Sequence, residues 1–221
     1  TSGDQVAEAS INTSTSGSIT IYSGDISLKG GTLSGTGTDA NAEITTPSGN
    51  VSISATNVTV GASTGDGNNF ISAPSGTLSL DLNSGNLTLT GTNADATISS
   101  SGAMTITNVA TLTLTATDHM ATISTTGTEG SLTISNFTTA INITGGSSSN
   151  QTASIYTHTS GTTPISISGT GNISLAGGAS SNSHARIYTQ STDSPLTVSA
   201  AACSLTSAGH GYATMTSTNS S

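Results

Sequence analysis

The residues of this chain that could act as acids, bases or nucleophiles are few and scattered. Only Lys29 and Arg186 are permanent cations, against 11 Asp and Glu residues, which gives a net charge of −9 over 221 residues. A polysaccharide lyase or glycosidase needs clustered carboxylates with a metal or a basic side chain, or two acids that face one glycosidic bond. No such cluster surrounds either cation in the sequence. We therefore expect no enzymatic activity.

The histidines and the single cysteine do not form a metal-binding pattern. The histidines lie in or near polar segments, without the i, i+4 spacing or the cysteine partners of a zinc site; they are His119, His158, His184 and His210. We interpret them as solvated loop residues. Cys203 occupies a position where Ile or Val usually lies, and we interpret it as a small buried hydrophobic residue.

The charge balance excludes two classes of partner. With two cations and a net charge of −9, the chain lacks the basic patch that nucleic acids and anionic membranes require. No nucleic-acid partner is expected. The sequence also has no apolar run of the ~18 residues that a membrane-spanning helix needs, so we expect no membrane insertion.

Three short motifs recur in fixed order and organise the whole sequence. Motif B is Ala-x-Ile or a near equivalent, with anchors at Ile11, Ile44, Ile71, Ile98, Ile123, Ile155, Ile187 and Met215. Motif C is an alternating aliphatic pair that starts at Ile19, Val51, Leu78, Met104, Leu132, Ile165 and Leu196. Motif A is a second alternating pair that starts at Ile26, Val58, Leu87, Leu112, Ile141, Ile173 and Cys203. Successive B anchors lie 25 to 33 residues apart.

This repeat predicts an all-β fold. Strict alternation places the aliphatic side chains on one face of each strand and Ser or Thr on the other. The composition of 85 Ser and Thr residues with 3% aromatics suits a narrow interior and a polar exterior. We expect a right-handed parallel β-helix, or β-solenoid, with three short strands per coil and seven to eight coils of 25–33 residues. Residues 1–221 would form a single domain, either complete or an excerpt of a longer repeat array.

An Asp or Asn recurs five residues before the B anchor in six successive coils: Asp39, Asp66, Asn93, Asp118, Asn150 and Asn182. Asn and Asp tolerate the left-handed conformation and bond to their own backbone in turns, so stacked copies predict a structural turn ladder. The alternative is a Ca²⁺ site at Asp39 and Asp66. No other metal or cofactor is expected.

Two tyrosines, Tyr156 and Tyr188, follow their B anchors in adjacent coils. We expect them to stack on the outer face, either as a packing feature or as an aromatic platform for a sugar ring. An ice-binding face would need a regular array of Thr-x-Thr. Among the outward positions of motif A, only two coils have that pattern, at Thr88 with Thr90 and at Thr113 with Thr115.

Several segments of the repeat resemble known bacterial exoproteins. The segments GNLTLTG (85–91), GNISL (171–175) and GGASSN (177–182) are similar to the degenerate repeats of large filamentous-haemagglutinin-like and autotransporter-type proteins. That resemblance implies export, a parallel β-helix shaft, and an adhesion or surface-fibre role. It predicts an extracellular or cell-surface location.

The leading functional hypothesis is a non-enzymatic structural protein, either the shaft of a secreted or cell-surface adhesin or the subunit of an extracellular filament. The alternative is a carbohydrate- or ice-binding module on the same solenoid. Neither end of the sequence has the pattern of a capping helix, so we expect end-to-end stacking into a homo-oligomer or covalently continuous coils. A host surface or a polysaccharide is the expected ligand.

Overall fold

The alternating motifs form β-strands throughout. The computed structural model describes residues 9–31, 41–61, 65, 67–157, 161–191 and 193–217, and within them every regular element is a strand. These residues contain no helix long and apolar enough to cross a membrane.

The strands, in chain order, are β1 (Ala9–Asn12), β2 (Ile19–Tyr22), β3 (Asp25–Leu28), β4 (Ala42–Thr45), β5 (Val51–Ser54), β6 (Asn57–Gly61), β7 (Asn69–Ala73), β8 (Leu78–Gly91), β9 (Ala96–Ser100), β10 (Met104–Ala116), β11 (Ala121–Thr125), β12 (Leu132–Phe137), β13 (Ala140–Thr144), β14 (Ala153–Thr157), β15 (Ile165–Gly169), β16 (Asn172–Ala176), β17 (Ala185–Thr189), β18 (Leu196–Ser199), β19 (Ala202–Thr206) and β20 (Ala213–Thr216).

The B motifs form one parallel sheet of eight strands, in the order β1-β4-β7-β9-β11-β14-β17-β20. All eight B anchors are in register, from Ile11 opposite Ile44 to Ile187 opposite Met215. Each coil thus adds one strand to the sheet. The fold is a β-solenoid of about seven turns, which confirms the predicted fold class.

The A and C motifs form a second parallel sheet of 12 strands. In two coils the C and A motifs belong to one long strand, β8 or β10, where the sequence predicted two short strands. Left-handed asparagines lie at both junctions, where Asn83 and Asn108 have φ of 49° and 53°. Asn136 has φ of 58° in the next coil, where β12 and β13 stay separate. In β10 the register shifts between Thr107 and Val109, so a bulge bends this strand without ending its pairing.

The lumen between the sheets is filled by aliphatic side chains. The inward residues of the middle coils are buried, with Leu89, Ile98, Ile106, Leu114, Ile123 and Ile134 all at 0% exposure. Small branched side chains fill such a narrow interior at high packing density. The inward phase predicted for these residues is therefore confirmed.

A column of threonine side chains enters the lumen, and each of its hydroxyls donates to a carbonyl at a corner of the coil. Thr125 Oγ1 donates to the Gly130 carbonyl at 2.8 Å, and Thr157 Oγ1 donates to the Thr163 carbonyl at 2.7 Å. Thr189 repeats this contact one coil later. Because all three of these hydroxyls are hydrogen-bonded, the column costs little desolvation energy.

Asn69 stands where the other B motifs have Ala, and it is fully buried. Its Oδ1 accepts the N–H of Gly30, and its Nδ2 donates to the Gly67 carbonyl at 3.2 Å. These bonds compensate for the burial of an amide. Asn69 thus stands in place of a small packing residue and joins two segments of the chain by hydrogen bonds.

The first and last described coils differ from the middle ones in exposure. Ile11 is 51% exposed and Leu205 is 47% exposed, although both keep the register of buried residues in the adjacent coil. Cys203 pairs in register with Ile173, but it is exposed. Its interpretation as a buried residue is wrong, because residues 201–210 all lie at the surface of the last described coil.

Candidate functional site

The outer face of the eight-stranded sheet carries a groove. In coils of β11 and β14 the outward hydroxyl residues Thr122, Ser124 and Ser154 are only 9%, 3% and 4% exposed. Outward residues on a flat solenoid wall would be open to solvent, so neighbouring side chains enclose this part of the face. The outer groove has a volume of about 300 Å³ and is lined chiefly by Thr122, Ser124, Ser154, Tyr156, Arg186 and Tyr188.

Tyr156 and Tyr188 form one wall of the outer groove. Their strands place them opposite each other in register, and their rings stack with centroids 5.2 Å apart and planes 11° apart. That distance is close to the ~4.8 Å spacing of adjacent strands, so the ring planes lie across the solenoid axis. Burial raises the pKa of Tyr188, the Tyr156 hydroxyl adds to this shift, and the Arg186 charge opposes it.

Arg186 supplies the positive charge of the outer groove. Its guanidinium carbon lies 5.8 Å from the ring centroid of Tyr188 and 5.0 Å from that of Tyr212, within the range of cation–π attraction. Its Nε is buried and has no hydrogen-bond partner within the described parts of the chain. The groove thus holds a guanidinium group that packs against two aromatic rings. No carboxylate among the described residues forms an ion pair with it.

His184 lies behind this cation and is 2% exposed. Its ring stacks on Tyr212 with centroids 3.5 Å apart, and its Nδ1 accepts the Tyr212 backbone N–H at 3.3 Å. Burial, and secondarily the charge of Arg186, lowers the pKa of His184. The interpretation of His184 as a solvated loop residue is therefore wrong, since Tyr212 stacks on its ring and the side chain is buried.

The other histidines have different surroundings. His119 is 47% exposed, and its Nδ1 lies 3.5 Å from Asp95 Oδ1. His210 is exposed. His158 lies outside the described residues.

A second hollow continues the outer groove along the sheet. It has a volume of about 200 Å³, and Phe70, Asp95 and Ser99 line it. Thr97 lines both hollows. From β7 to β17 the sheet advances four strands, a distance of roughly 19 Å at the usual strand spacing. The outer face therefore offers an elongated depression that runs along the solenoid axis.

The predicted Asp/Asn turn ladder is described for four of its six positions. Asn93, Asn150 and Asn182 have left-handed φ values of 58°, 66° and 59°. Asn182 Nδ2 donates to Asn150 Oδ1 at 3.0 Å, which links adjacent coils. Asp118 is exposed and is not among the left-handed residues. Asp39 and Asp66 lie outside the described residues, so the Ca²⁺ site there stays a prediction.

Sequence reasoning missed other polar ladders, at the corner between motifs C and A. Asn57 Nδ2 donates to Asp25 Oδ1 at 2.8 Å, and Asn86 Nδ2 donates to Asn57 Oδ1 at 3.1 Å. A neighbouring ladder links Asn136 to Asn108 at 3.1 Å. The available signal was the Asp or Asn directly before several A motifs. Such ladders link adjacent coils by hydrogen bonds. The Asp and Asn residues at these turns therefore have a structural role that needs no bound ligand.

The Thr-x-Thr pattern of motif A covers only the two coils expected from the sequence. Thr113 lies opposite Thr88, and Thr115 lies opposite Thr90. On the next coil the position opposite Thr113 is Asn142. Two coils make a small patch, and the outer groove on the other sheet is the more developed surface.

No protein-family model, no curated protein and no solved structure matches this chain. What the chain can do is therefore inferred from three features of its own: an in-register solenoid wall, end coils with exposed aliphatic residues, and the outer groove.

Proposed function

We propose that this chain is a non-enzymatic structural protein, the shaft of a secreted or cell-surface adhesin or the subunit of an extracellular filament. The observation that carries the proposal is the exposure of inward-facing residues in the end coils. Ile11 and Leu205 occupy lumen positions at 51% and 47% exposure, whereas Ile44 and Leu175, their partners in the next coils, are at 1% and 0%. A further coil on each end would bury them.

Strand edges support the same proposal. Within the described residues, β1 and β20 each pair with one neighbour only and stand at opposite ends of the eight-stranded sheet. Such edges present backbone N–H and C=O groups that another strand can pair with. Because every coil of the sheet is in register, the coil of a second copy would continue the same columns. The resulting head-to-tail contact propagates without closing, which is the geometry of a filament.

The surface chemistry fits an exported fibre. The chain has 85 Ser and Thr residues and only two permanent cations, so its outside is polar and weakly charged. The resemblance of the 85–91 and 171–182 segments to repetitive bacterial exoproteins implies the same location. Charge repulsion between copies with a net charge of −9 is screened at physiological salt, where the Debye length is about 8 Å.

The purified chain tests this proposal in electron microscopy and light scattering over a range of concentrations. We expect thin unbranched filaments that lengthen with concentration. Leu205→Glu should prevent them, because the glutamate would be buried in the joined lumen. Ser204→Glu is the matched control, since Ser204 pairs with Ser174 on the outward face, and it should leave filaments intact.

Two results would contradict end-to-end assembly. One is a monodisperse monomer at high concentration. The other is filament formation by Leu205→Glu equal to that of the control. Circular dichroism of both variants as monomers ensures that the comparison is between folded proteins.

A further inference from the structure

We propose that the outer groove binds an acidic carbohydrate, with Arg186 receiving a sugar carboxylate and the hydroxyl groups of the groove floor bonding to the sugar. This binding site goes beyond the proposed structural role and does not depend on axial assembly. It would make the outer face of the eight-stranded sheet a recognition surface.

The aromatic wall of the groove is preformed. The Tyr156 and Tyr188 rings already stack across the axis at 5.2 Å. In the same column one coil earlier, the residue opposite Tyr156 is Ser124. A serine side chain fills far less space than a ring, and the groove of about 300 Å³ lies there. This volume is at the lower end of that of small-molecule sites, and it suits a single sugar ring.

The groove floor supplies hydroxyl groups. Thr122, Ser124 and Ser154 point outward from β11 and β14 and are largely shielded from solvent. Each hydroxyl can both donate and accept a hydrogen bond. Sugar hydroxyls have the same dual capacity, so a carbohydrate can satisfy these groups as it displaces water. An apolar ligand could not.

Arg186 selects for a negative charge. It lines the groove, its Nε lacks a partner, and no described carboxylate pairs with it. The Tyr188 and Tyr212 rings hold the guanidinium in place by cation–π contact. A guanidinium binds a carboxylate through two parallel charge-assisted hydrogen bonds. A single cation in a protein of net charge −9 suits a ligand with isolated carboxylates better than a polyphosphate.

The sheet beneath the groove argues against an extended peptide as the occupant. β11 and β14 are inner strands of the eight-stranded sheet, paired on both sides. Their backbone groups are already used, whereas peptide addition to a sheet needs a free edge. The second hollow shares Thr97 with the groove and extends the depression along the axis, and the Asp95 carboxylate in its lining favours an uncharged sugar there.

Calorimetry with two matched pairs of probes tests the inference. Trigalacturonate is compared with its methyl ester, and sialyllactose is compared with lactose. We expect at least one acid to bind about tenfold more tightly than its neutral match, as a charge-assisted contact implies, and its affinity to fall with added salt. The chain has four Tyr and no Trp, so tyrosine emission reports binding next to Tyr156 and Tyr188.

Three variants locate the site. Arg186→Gln should reduce the affinity for the acid to that of its neutral match, while Lys29→Gln, at the chain's other cation, should change nothing. Ser124→Tyr should abolish binding because it fills the groove with a ring and leaves Arg186 in place. Thermal melts verify that each variant is folded.

The inference is overturned if neither acid binds at millimolar concentration, or if both acids bind no better than their neutral matches. It is also overturned if folded Ser124→Tyr binds like the wild type, which remains decisive even if Arg186→Gln does not fold. These outcomes are independent of filament formation, so failure of the groove and failure of the axial assembly are distinguishable.

Discussion

The inner and outer faces of the eight-stranded sheet follow different rules. On the inner face, seven of the eight in-register anchors are Ile and the eighth is Met. On the outer face, the position after the anchor changes from Ser in β9 and β11 to Tyr in β14 and β17. The anchor position of the lumen therefore takes a side chain of nearly the same volume in every coil. The outer face has no such repeat, and the groove lies where its residues change from Ser to Tyr.

The largest effect expected from this comparison is a charge placed on each face of one strand. Leu114→Asp puts a carboxylate in the lumen, where Leu114 is 0% exposed, and should lower the free energy of unfolding by more than about 4 kcal/mol. Thr113→Asp, on the outward side of β10, should stay within about 0.5 kcal/mol of the wild type. Denaturant unfolding measures both, and equal losses would show that inner and outer faces do not differ as described.

A smaller loss is expected where a polar group replaces the usual inward Ala. Asn69→Ala restores the repeat consensus but leaves the Gly30 N–H without its acceptor. We expect a loss of about 1–3 kcal/mol, the cost of an unsatisfied buried group. Asn68→Ala, at the exposed neighbouring residue, is the control. A neutral or stabilising Asn69→Ala would mean that packing alone sets this inward position.

The buried histidine behind the groove should make stability depend on pH. The pKa of His184 is lowered from its ordinary value of 6.5 in the folded state. Below that pH the unfolded chain therefore binds a proton at this histidine more readily than the folded chain does. Stability due to His184 is therefore full above that pH and falls as the pH drops through it. Unfolding curves between pH 8 and pH 5.5 (about the range in which histidine titrates) should show a weaker pH dependence for His184→Gln than for the wild type.

The difference in slope between the wild type and His184→Gln measures the contribution of His184 alone. The same slope in the wild type and in His184→Gln would contradict a neutral, buried His184.

The smallest effect is a gain on the outer face. Ser124→Tyr adds a third ring next to Tyr156 in the same column and should stabilise the fold by about 0.5–1.5 kcal/mol, the usual range for aromatic pairs. Near-ultraviolet circular dichroism should intensify as the stack lengthens. Ile123→Tyr, one residue away on the inner face, should instead destabilise by overpacking. A loss of stability in both variants would show that the outer face is as constrained as the lumen.

The sequence by itself determined the solenoid, because parallel coils pair in register only if their aliphatic residues recur at matching positions. The B anchors therefore predicted the eight-stranded sheet, and the inward phase of residues such as Leu114 and Ile123 followed from alternation. The sequence also placed Tyr156 and Tyr188 in one column. What it could not give was the joining of the C and A motifs in β8 and β10, since a left-handed asparagine can either end a strand or bend it.

Only the tertiary structure decided the groove. Thr122, Ser124 and Ser154 are unremarkable outward hydroxyl residues in the sequence, and only the stacked coils show that they are buried and line the groove. The placement of Tyr212 against Arg186 and His184 depends on the path of the segment before β20. The loops between coils vary in length while the strand register stays constant. The path of a loop therefore cannot be predicted from the sequence repeat. Contacts that depend on those paths, and not on the repeat, are visible only once the coils are stacked.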